Sequence, residues 1–114
     1  MKKVEAIIRP ENFQPLRDKL EEIGINGLTV SEVAGCGLQK GQQGVFRGNS
    51  FEIRLLPKVK VEMVVESEFV DEIVHAIQTT CSTNAVGDGK IFIIPVENAI
   101  RIRTGEDGVL AISK

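Results

Sequence analysis

Apolar residues follow two different spacings along the first third of the chain. Residues 2–9 alternate apolar and polar side chains, which predicts a strand with one buried face that ends at Pro10. Residues 13–23 place apolar side chains three or four positions apart, which predicts a helix with Asn12 as its N-cap. Residues 28–33 are rich in side chains typical of strands and predict a second strand.

The pattern disappears in the middle of the chain and then returns. Residues 35–50 contain five glycines and no periodicity, which predicts a long loop of the functional or mobile kind. Residues 59–65 alternate again and predict a third strand. A second helix is expected over residues 70–77, with Ser67 as its cap. Residues 91–94 are almost continuously apolar, as a central strand would be.

After Pro95, residues 99–103 alternate isoleucine with arginine or alanine and predict one further strand. The order of elements predicts an α+β, ferredoxin-like βαββαβ fold, with both helices on one face of an antiparallel sheet. Residues 1–114 are expected to form a single domain, with a long flexible loop at about residues 37–55 between strands 2 and 3. The other sheet face is partly apolar, which predicts burial in a symmetric oligomer.

Composition narrows the classes of function. The chain has 114 residues and is 42% hydrophobic, which is typical of a globular protein with an ordinary core. A net charge of −2 argues against a general nucleic-acid binder. We predict a cytoplasmic protein without membrane insertion, because no apolar stretch could span a bilayer and no secretory signal opens the chain. Cys36 and Cys81 are expected to be reduced thiols, since their spacing matches no metal site.

A glycine turn at residues 87–90 is the strongest candidate for chemistry. Gly87 and Gly89 permit backbone N–H groups to converge on an anion, and Lys90 adds a positive charge. Arg101 and Arg103 would leave the same side of one strand, and such cations bind phosphate strongly. The pattern equally fits a hairpin turn followed by a solvated strand face, so both interpretations stay open at this point.

Other functions of this fold find less support. An RNA binder of this class presents exposed aromatic residues on its central strands, and no basic-aromatic motif occurs here. No nucleophile can be paired with a base, so we predict that the chain is not an enzyme. His75, the one histidine, lies in the middle of a predicted helix and is expected to be a surface or core residue. Neither it nor the two cysteines share a metal-ligand spacing.

Several motifs resemble the PII signal-transduction family, and the similarity runs almost without gaps along the whole chain. Its C-terminal motifs are highly specific. The segments that carry the resemblance are MKKVEAIIRP at 1–10, TVSEV at 29–33, GCGLQKG at 35–41, RG at 47–48, LPKVK at 56–60, VGDGKIF at 86–92 and IRIRTG at 100–105.

The resemblance implies a cytoplasmic homotrimer that binds ATP or ADP in clefts between neighbouring subunits, together with Mg²⁺ and usually 2-oxoglutarate. It places the nucleotide at Thr29, Gly37, Leu38, Glu62, Met63, Val64, Gly87, Asp88, Gly89, Lys90, Arg101 and Arg103, with the two arginines supplied by the adjacent chain. It places 2-oxoglutarate at Arg9, Gln39, Lys40, Gly41, Lys58 and Gly87, with Gln39 as the side-chain ligand of Mg²⁺.

The chain also departs from the family's pattern, chiefly in the long loop. It contains no tyrosine, so Phe51 stands at the position of the family's modified tyrosine and nucleotidylylation there is chemically excluded. Leu38 replaces a frequent arginine, Arg54 replaces an acid, and Asn84 replaces a glycine.

We expect the loop, with Arg47, Phe51 and Arg54, to bind the target protein. The target would be an ammonium transporter or an enzyme of nitrogen metabolism. The alternative is an energy-sensing regulator of another transporter that responds to ATP and ADP without 2-oxoglutarate.

Overall fold

The computed structural model describes the backbone of residues 1–40 and 51–113 and the side chains of residues 1–36 and 55–113. Four antiparallel strands form one sheet in the order β2-β3-β1-β4. The strands are β1 (Lys2–Ile8), β2 (Thr29–Lys40), β3 (Phe51–Val65) and β4 (Gly89–Pro95). The helices are α1 (Phe13–Glu22), α2 (Val70–Cys81) and a single turn, α3 (Val109–Ile112). The predicted α+β architecture is confirmed.

One face of the sheet carries the hydrophobic core, and α1 and α2 cover it. Alternate residues of the paired strands β1 and β3 point toward these helices, and the buried residues of the helices recur three or four positions apart on the facing side. The buried residues are Val4, Ala6, Ile8, Leu16, Leu20, Val59, Val61, Met63, Val65, Ile73, Ala76, Ile77 and Cys81. The periodicities of residues 2–9 and 13–23 therefore predicted the correct faces.

Strand β4 is an edge strand, so the prediction of a central strand at residues 91–94 is wrong. It pairs with β1 on one side only, and Phe92, Ile93 and Ile94 remain exposed. Lys90, Phe92 and Ile94 pair with alternate residues of β1 on the face away from the helices. A continuous apolar run therefore marks surface that this chain by itself does not bury.

Strands β2 and β3 are longer than predicted. Their ladder runs from Thr29 paired with Glu62 to Lys40 paired with Phe51. The loop predicted at about residues 37–55 is therefore wrong at both ends, because residues 37–40 and 51–55 are in strands, and residues 41–50 lie outside the described residues. Glycine weakens a strand but does not prevent ladder hydrogen bonds, which explains the error.

Asn12 occupies the predicted N-cap position of α1 but makes no side-chain cap hydrogen bond, whereas the cap predicted at Ser67 is wrong because Phe69 precedes α2. A 3₁₀ turn at Pro10–Asn12 precedes α1, and another at Ser67–Phe69 precedes α2. Asn12 instead donates a side-chain hydrogen bond to the Cys81 carbonyl at 3.4 Å, which joins the start of α1 to the end of α2. His75 is exposed on α2, as expected of a surface residue.

The strand predicted at residues 99–103 is absent from the described part of the chain. Ile100 forms one isolated bridge with Asp107, and the Gly105 N–H donates to the Arg101 carbonyl at 2.8 Å. Residues 100–107 therefore form a closed turn. The sequence did not predict it because an alternation of side chains this short fits a strand and a turn equally well. None of the helices within residues 1–40 and 51–113 has the length and apolar character of a bilayer-spanning helix.

Candidate functional site

The connection from α2 to β4, together with the first residue of β4, contains three residues in the left-handed region of backbone space. Their φ angles are 61° at Asn84, 99° at Gly87 and 112° at Gly89. Glycine adopts such angles without steric cost, and asparagine tolerates them better than most residues. Asn84 therefore adopts a conformation that glycine would favour.

Two cations from distant parts of the chain converge on Gly87. The Lys58 Nζ donates a hydrogen bond to the Gly87 carbonyl at 2.6 Å, and the Arg9 Nη2 donates to the Val86 carbonyl at 3.0 Å. A Cβ atom built on Gly87 would lie 3.3 Å from Arg9 Nη2 and 3.8 Å from Lys58 Nζ. The absence of a side chain thus leaves a small space beside both positive charges, which suits an anion.

Asp88 lies at the centre of the turn and is bonded on both oxygens. The Arg9 Nε donates to Oδ1 at 3.3 Å, the Thr83 N–H donates to Oδ2 at 2.7 Å, and the Thr83 hydroxyl also donates to Oδ1. These bonds to Thr83, supported by Arg9, lower the pKa of Asp88 to about 2. The carboxylate is therefore ionised at neutral pH.

Gly89 packs directly on β1. A Cβ atom there would lie 1.7 Å from the Ile7 carbonyl oxygen, so no side chain fits without moving the backbone. This contact fixes the start of β4, where Lys90 pairs with Ile7 in the ladder. Arg9 and Lys58, which the resemblance placed together with Gly87, lie at this turn, and the structure adds Thr83.

A cavity of about 440 Å³ opens beside the turn, between α2 and the outer edge of β4. Its polar lining includes Asp88 and Lys90, whereas Ile77 of α2 and Ile91 of β4 supply apolar surface. The volume lies within the range of small-molecule sites, and the mixed lining fits a ligand with a charged and an apolar part.

Arg101 and Arg103 do not contact the glycine turn within the described residues. Arg101 instead binds the C-terminal segment: its Nη1 lies 3.2 Å from Glu106 Oε1, and its Nη2 donates to the Leu110 carbonyl at 3.1 Å. Arg103 is exposed. The prediction that both guanidinium groups leave one side of a strand is wrong, because residues 100–107 form a turn.

Four of the residues expected to bind the nucleotide, Thr29, Glu62, Met63 and Val64, lie where β2 begins, whereas Gly37 and Leu38 lie near its end. Thr29 pairs with Glu62 and is the first residue of β2, so the β3 backbone at Met63 and Val64 continues beyond its partner. The Met63 side chain is buried in the core, and any contact it makes with a ligand must use its backbone. Val64 lines a second cavity of about 250 Å³ near Gly27.

A charged cluster on the open sheet face was missed by the sequence analysis. Lys3 Nζ lies 3.5 Å from Glu5 Oε1 and 3.4 Å from Glu62 Oε1, and Lys60 Nζ lies 4.0 Å from the same Glu62 oxygen. A hydrogen bond with Glu5 and the charges of Lys3 and Lys60 lower the pKa of Glu62. The alternation of lysine and glutamate in both strands was the available signal.

The remaining predicted residues fall in or beside the β2–β3 ladder. The structure places Gly37, Leu38, Gln39 and Lys40 in the last part of β2, across from Phe51 to Arg54 in β3. Gly41 and Arg47 lie outside the described residues. Among the side chains of residues 1–36 and 55–113, no group of three or more His, Cys, Asp or Glu could hold a metal ion. Gln39 stays the predicted Mg²⁺ ligand.

Comparison with known proteins identifies the family. The family model described as nitrogen regulatory protein P-II matches residues 1–106. The chain is 50% identical over 112 residues to the nitrogen regulatory protein P-II of Haemophilus influenzae, covering 98% of this chain and all of the relative. It is 48% identical over the same length and coverage to that of Azospirillum brasilense. The chain belongs to the P-II family.

Solved structures of P-II proteins have the same fold. Bacillus subtilis GlnK superposes with a TM-score of 0.81 at 42% identity, covering 96% of each chain. Arabidopsis thaliana PII bound to citrate gives a TM-score of 0.79 at 39% identity, covering 99% of this chain and 90% of that one. A GlnK–ATP complex gives 0.81 at 40% identity, covering 96% of this chain and 94% of that one. The chain is therefore a P-II-type nitrogen regulatory protein acting in signal transduction, not an enzyme.

Proposed function

We propose that the protein senses adenine nucleotides, with ATP and ADP competing for the glycine turn at residues 87–90. The observation that best supports this is the convergence of Arg9 and Lys58 on Gly87, where a side chain is missing and positive charge is concentrated. Lys90 is the second residue of β4, and Gly89 fixes the start of this strand against β1. A related protein, B. subtilis GlnK, forms a complex with ATP.

The nucleotide site is completed by a neighbouring subunit in a cytoplasmic homotrimer. Phe92 and Ile94 form an exposed apolar edge on the open sheet face, and burial by another copy of the chain would stabilise it. Arg101 and Arg103 do not reach the turn of their own chain, which is consistent with a role at the turn of the adjacent subunit. Sedimentation should give three chains per particle, and a monomer would contradict this arrangement.

The second ligand of the proposal is 2-oxoglutarate, bound together with Mg-ATP. Lys58 would pair one carboxylate beside Gly87, and the predicted contacts at Arg9, Gln39, Lys40 and Gly41 would complete its site. Gln39 would contribute an amide oxygen to Mg²⁺, whose remaining ligands are oxygens as well. The related Arabidopsis protein binds citrate, another carboxylate.

Ligands act by selecting a conformation of the connection between β2 and β3. A full switch needs about 5.5 kcal/mol of differential affinity, and charge-assisted bonds to one additional phosphate contribute roughly 1.5–3 kcal/mol each. The selected conformation would present Arg47, Phe51 and Arg54 to a target of nitrogen metabolism, such as an ammonium transporter or an enzyme. If 2-oxoglutarate does not bind in saturating Mg-ATP, the protein is instead an energy sensor for another transporter.

Calorimetry with ATP tests the nucleotide site. Lys90→Ala should weaken ATP binding at least about tenfold, which corresponds to about 1.4 kcal/mol. Lys19→Ala is the matched control, because Lys19 is an exposed lysine in the last turn of α1 and pairs with Glu22, not with a residue of the glycine turn. Equal affinities for the two variants would refute the placement of the phosphates at residues 87–90.

A further inference from the structure

Asp88 has an unexpected place in a site for a polyanion. Its carboxylate lies between the two glycines that would face phosphate, where a free negative charge would repel the ligand. Both of its oxygens are used within the chain, on Arg9 and Thr83, and not on the glycine N–H groups. Asp88 is thus organised to meet another part of the protein rather than a ligand.

Resting on the nucleotide-sensing function above, we propose that Asp88 is a positioning residue that cancels the charge of Arg9. The pair fixes the turn at residues 83–88 and leaves Lys58 and Lys90 to meet the charge of the bound anion. Arg9 then serves as a support for the turn and makes no direct contact with the phosphates of the nucleotide.

The contacts of Arg9 show that its guanidinium is already committed. Nε meets the Asp88 carboxylate at 3.3 Å, while Nη2 meets the Val86 carbonyl at 3.0 Å, so one planar group spans both sides of Gly87. Turning toward a ligand would break an ion pair that is only partly exposed, with 29% of the Arg9 side chain and 22% of the Asp88 side chain accessible. Breaking the pair would also leave the Asp88 carboxylate without its cationic partner beside the bound anion.

Lys58 differs from Arg9 in the partner it holds. Within the part of the chain whose side chains are described, its ammonium donates to the neutral carbonyl of Gly87 and pairs with no carboxylate. The full positive charge therefore stays available beside the space above Gly87. An ammonium also has three donors, so it keeps donors for an anion while it holds the carbonyl.

Thr83 keeps the carboxylate aimed at Arg9. Its N–H and hydroxyl hold opposite oxygens of Asp88, and they do so at the point where the chain leaves α2. The resulting low pKa keeps Asp88 ionised throughout the neutral range, so the charge of the pair does not vary with cellular pH.

Charge counting separates this role from direct ligand contact. Arg9→Gln leaves Asp88 uncompensated and adds one negative charge to the site, whereas Asp88→Asn frees Arg9 and adds one positive charge. The double variant is neutral at these positions, like the wild type. Asparagine has nearly the shape of aspartate, and its amide can still bond the Thr83 N–H and hydroxyl.

The experiment is calorimetry with ATP on these four proteins, at low and at raised ionic strength. At low ionic strength Arg9→Gln should weaken ATP binding about tenfold, and the double variant should return to within about threefold of the wild type. Asp88→Asn should bind ATP at least as well as the wild type, with a steeper loss of affinity as salt is added. Arg9→Lys keeps the charge and should bind more tightly than Arg9→Gln.

Three outcomes would overturn the inference. A double variant as weak as Arg9→Gln means that Arg9 contacts the ligand itself. Asp88→Asn could also bind ATP weakly without recovery in the double variant, while its unfolding midpoint equals that of the wild type. That result means that the carboxylate acts on the ligand directly. If the wild type does not bind ATP, the proposed function fails together with this inference. In the first two outcomes the wild type binds ATP, so only the inference fails.

Discussion

Gly89 is the position where a single methyl group should do most damage to the fold. A Cβ atom on Gly89 would lie 1.7 Å from the carbonyl oxygen and 2.9 Å from the carbonyl carbon of Ile7. Both are backbone atoms of β1, which lies between β3 and β4 and cannot move away freely. Gly89→Ala should therefore force the start of β4 away from β1 and break the pairing of Gly89 with Ile8.

The cost of this substitution has two parts. An L-residue at a φ of 112° loses roughly 1–2 kcal/mol relative to glycine. Forcing an additional carbon into a packed position costs about 1–3 kcal/mol. The sum is about 2–5 kcal/mol, which is a large fraction of the 5–15 kcal/mol that is typical of a folded domain. Because Gly89 is the first residue of β4, local separation of the strand end keeps the loss within this range.

Urea unfolding at one fixed protein concentration measures the loss, with two other glycines as controls. Gly24 has a φ of 91° but open space around its Cβ position, so Gly24→Ala should cost only the conformational part, about 1–2 kcal/mol. Gly27 has open space and no left-handed φ, so Gly27→Ala should be neutral or stabilise by up to about 1 kcal/mol. Equal losses for Gly89→Ala and Gly24→Ala would refute the steric argument.

Two further predictions concern the same turn. Asn84 has a φ of 61°, so Asn84→Gly should leave the free energy of unfolding within about 0.5 kcal/mol, whereas Asn84→Val should lower it by roughly 1–2 kcal/mol in the same urea assay. Asp88 has a pKa of about 2 in the folded chain, below the ~3.9 of an unfolded aspartate, so it contributes stability in full above about pH 4 and loses it as the pH falls toward 2. Over this pH range the unfolding midpoint of Asp88→Asn should decline less steeply with falling pH than that of the wild type. Equal slopes for the two proteins would contradict the low pKa of Asp88 in the folded chain.

The fold was predictable from the sequence wherever one face of an element is buried within the chain. The alternation of Val4, Ala6 and Ile8 predicted both the existence and the inward face of β1, and Leu16 and Leu20 did the same for α1. Burial of one face within the chain imposes a period of two residues on a strand and of about 3.6 on a helix. The spacing of apolar residues is therefore sufficient to predict these elements and their buried faces.

Features that depend on distant partners could not be predicted in this way. Asn12 has the composition of an N-cap, yet its amide donates to the carbonyl of Cys81, 69 positions away. Phe92 and its neighbours have the pattern of a central strand, yet β4 is an edge. Apolar composition indicates that a surface is buried but not by which chain, and a short side-chain amide serves a local or a distant carbonyl equally well.

The candidate site divides along the same line. The turn at residues 87–90 was predictable, because its glycines and lysine are adjacent in sequence and their conformational preferences are local. Arg9 and Lys58 entered only through resemblance to the P-II family, since they are separated from Gly87 by 78 and 29 positions. The ion pair of Arg9 with Asp88 was not predicted at all, and it changes the chemistry of the site.

Counting cations along a sequence overstates the charge that a ligand meets. Arg9, Lys58 and Lys90 are three positive residues, yet Asp88 compensates the first, so two remain for the anion. The loss of one phosphate changes the charge of the ligand by an amount comparable to one of these cations. The fewer free cations a site has, the more strongly its affinity responds to that change. Sensitivity to the difference between ATP and ADP would then depend on the carboxylate of Asp88 as much as on the lysines.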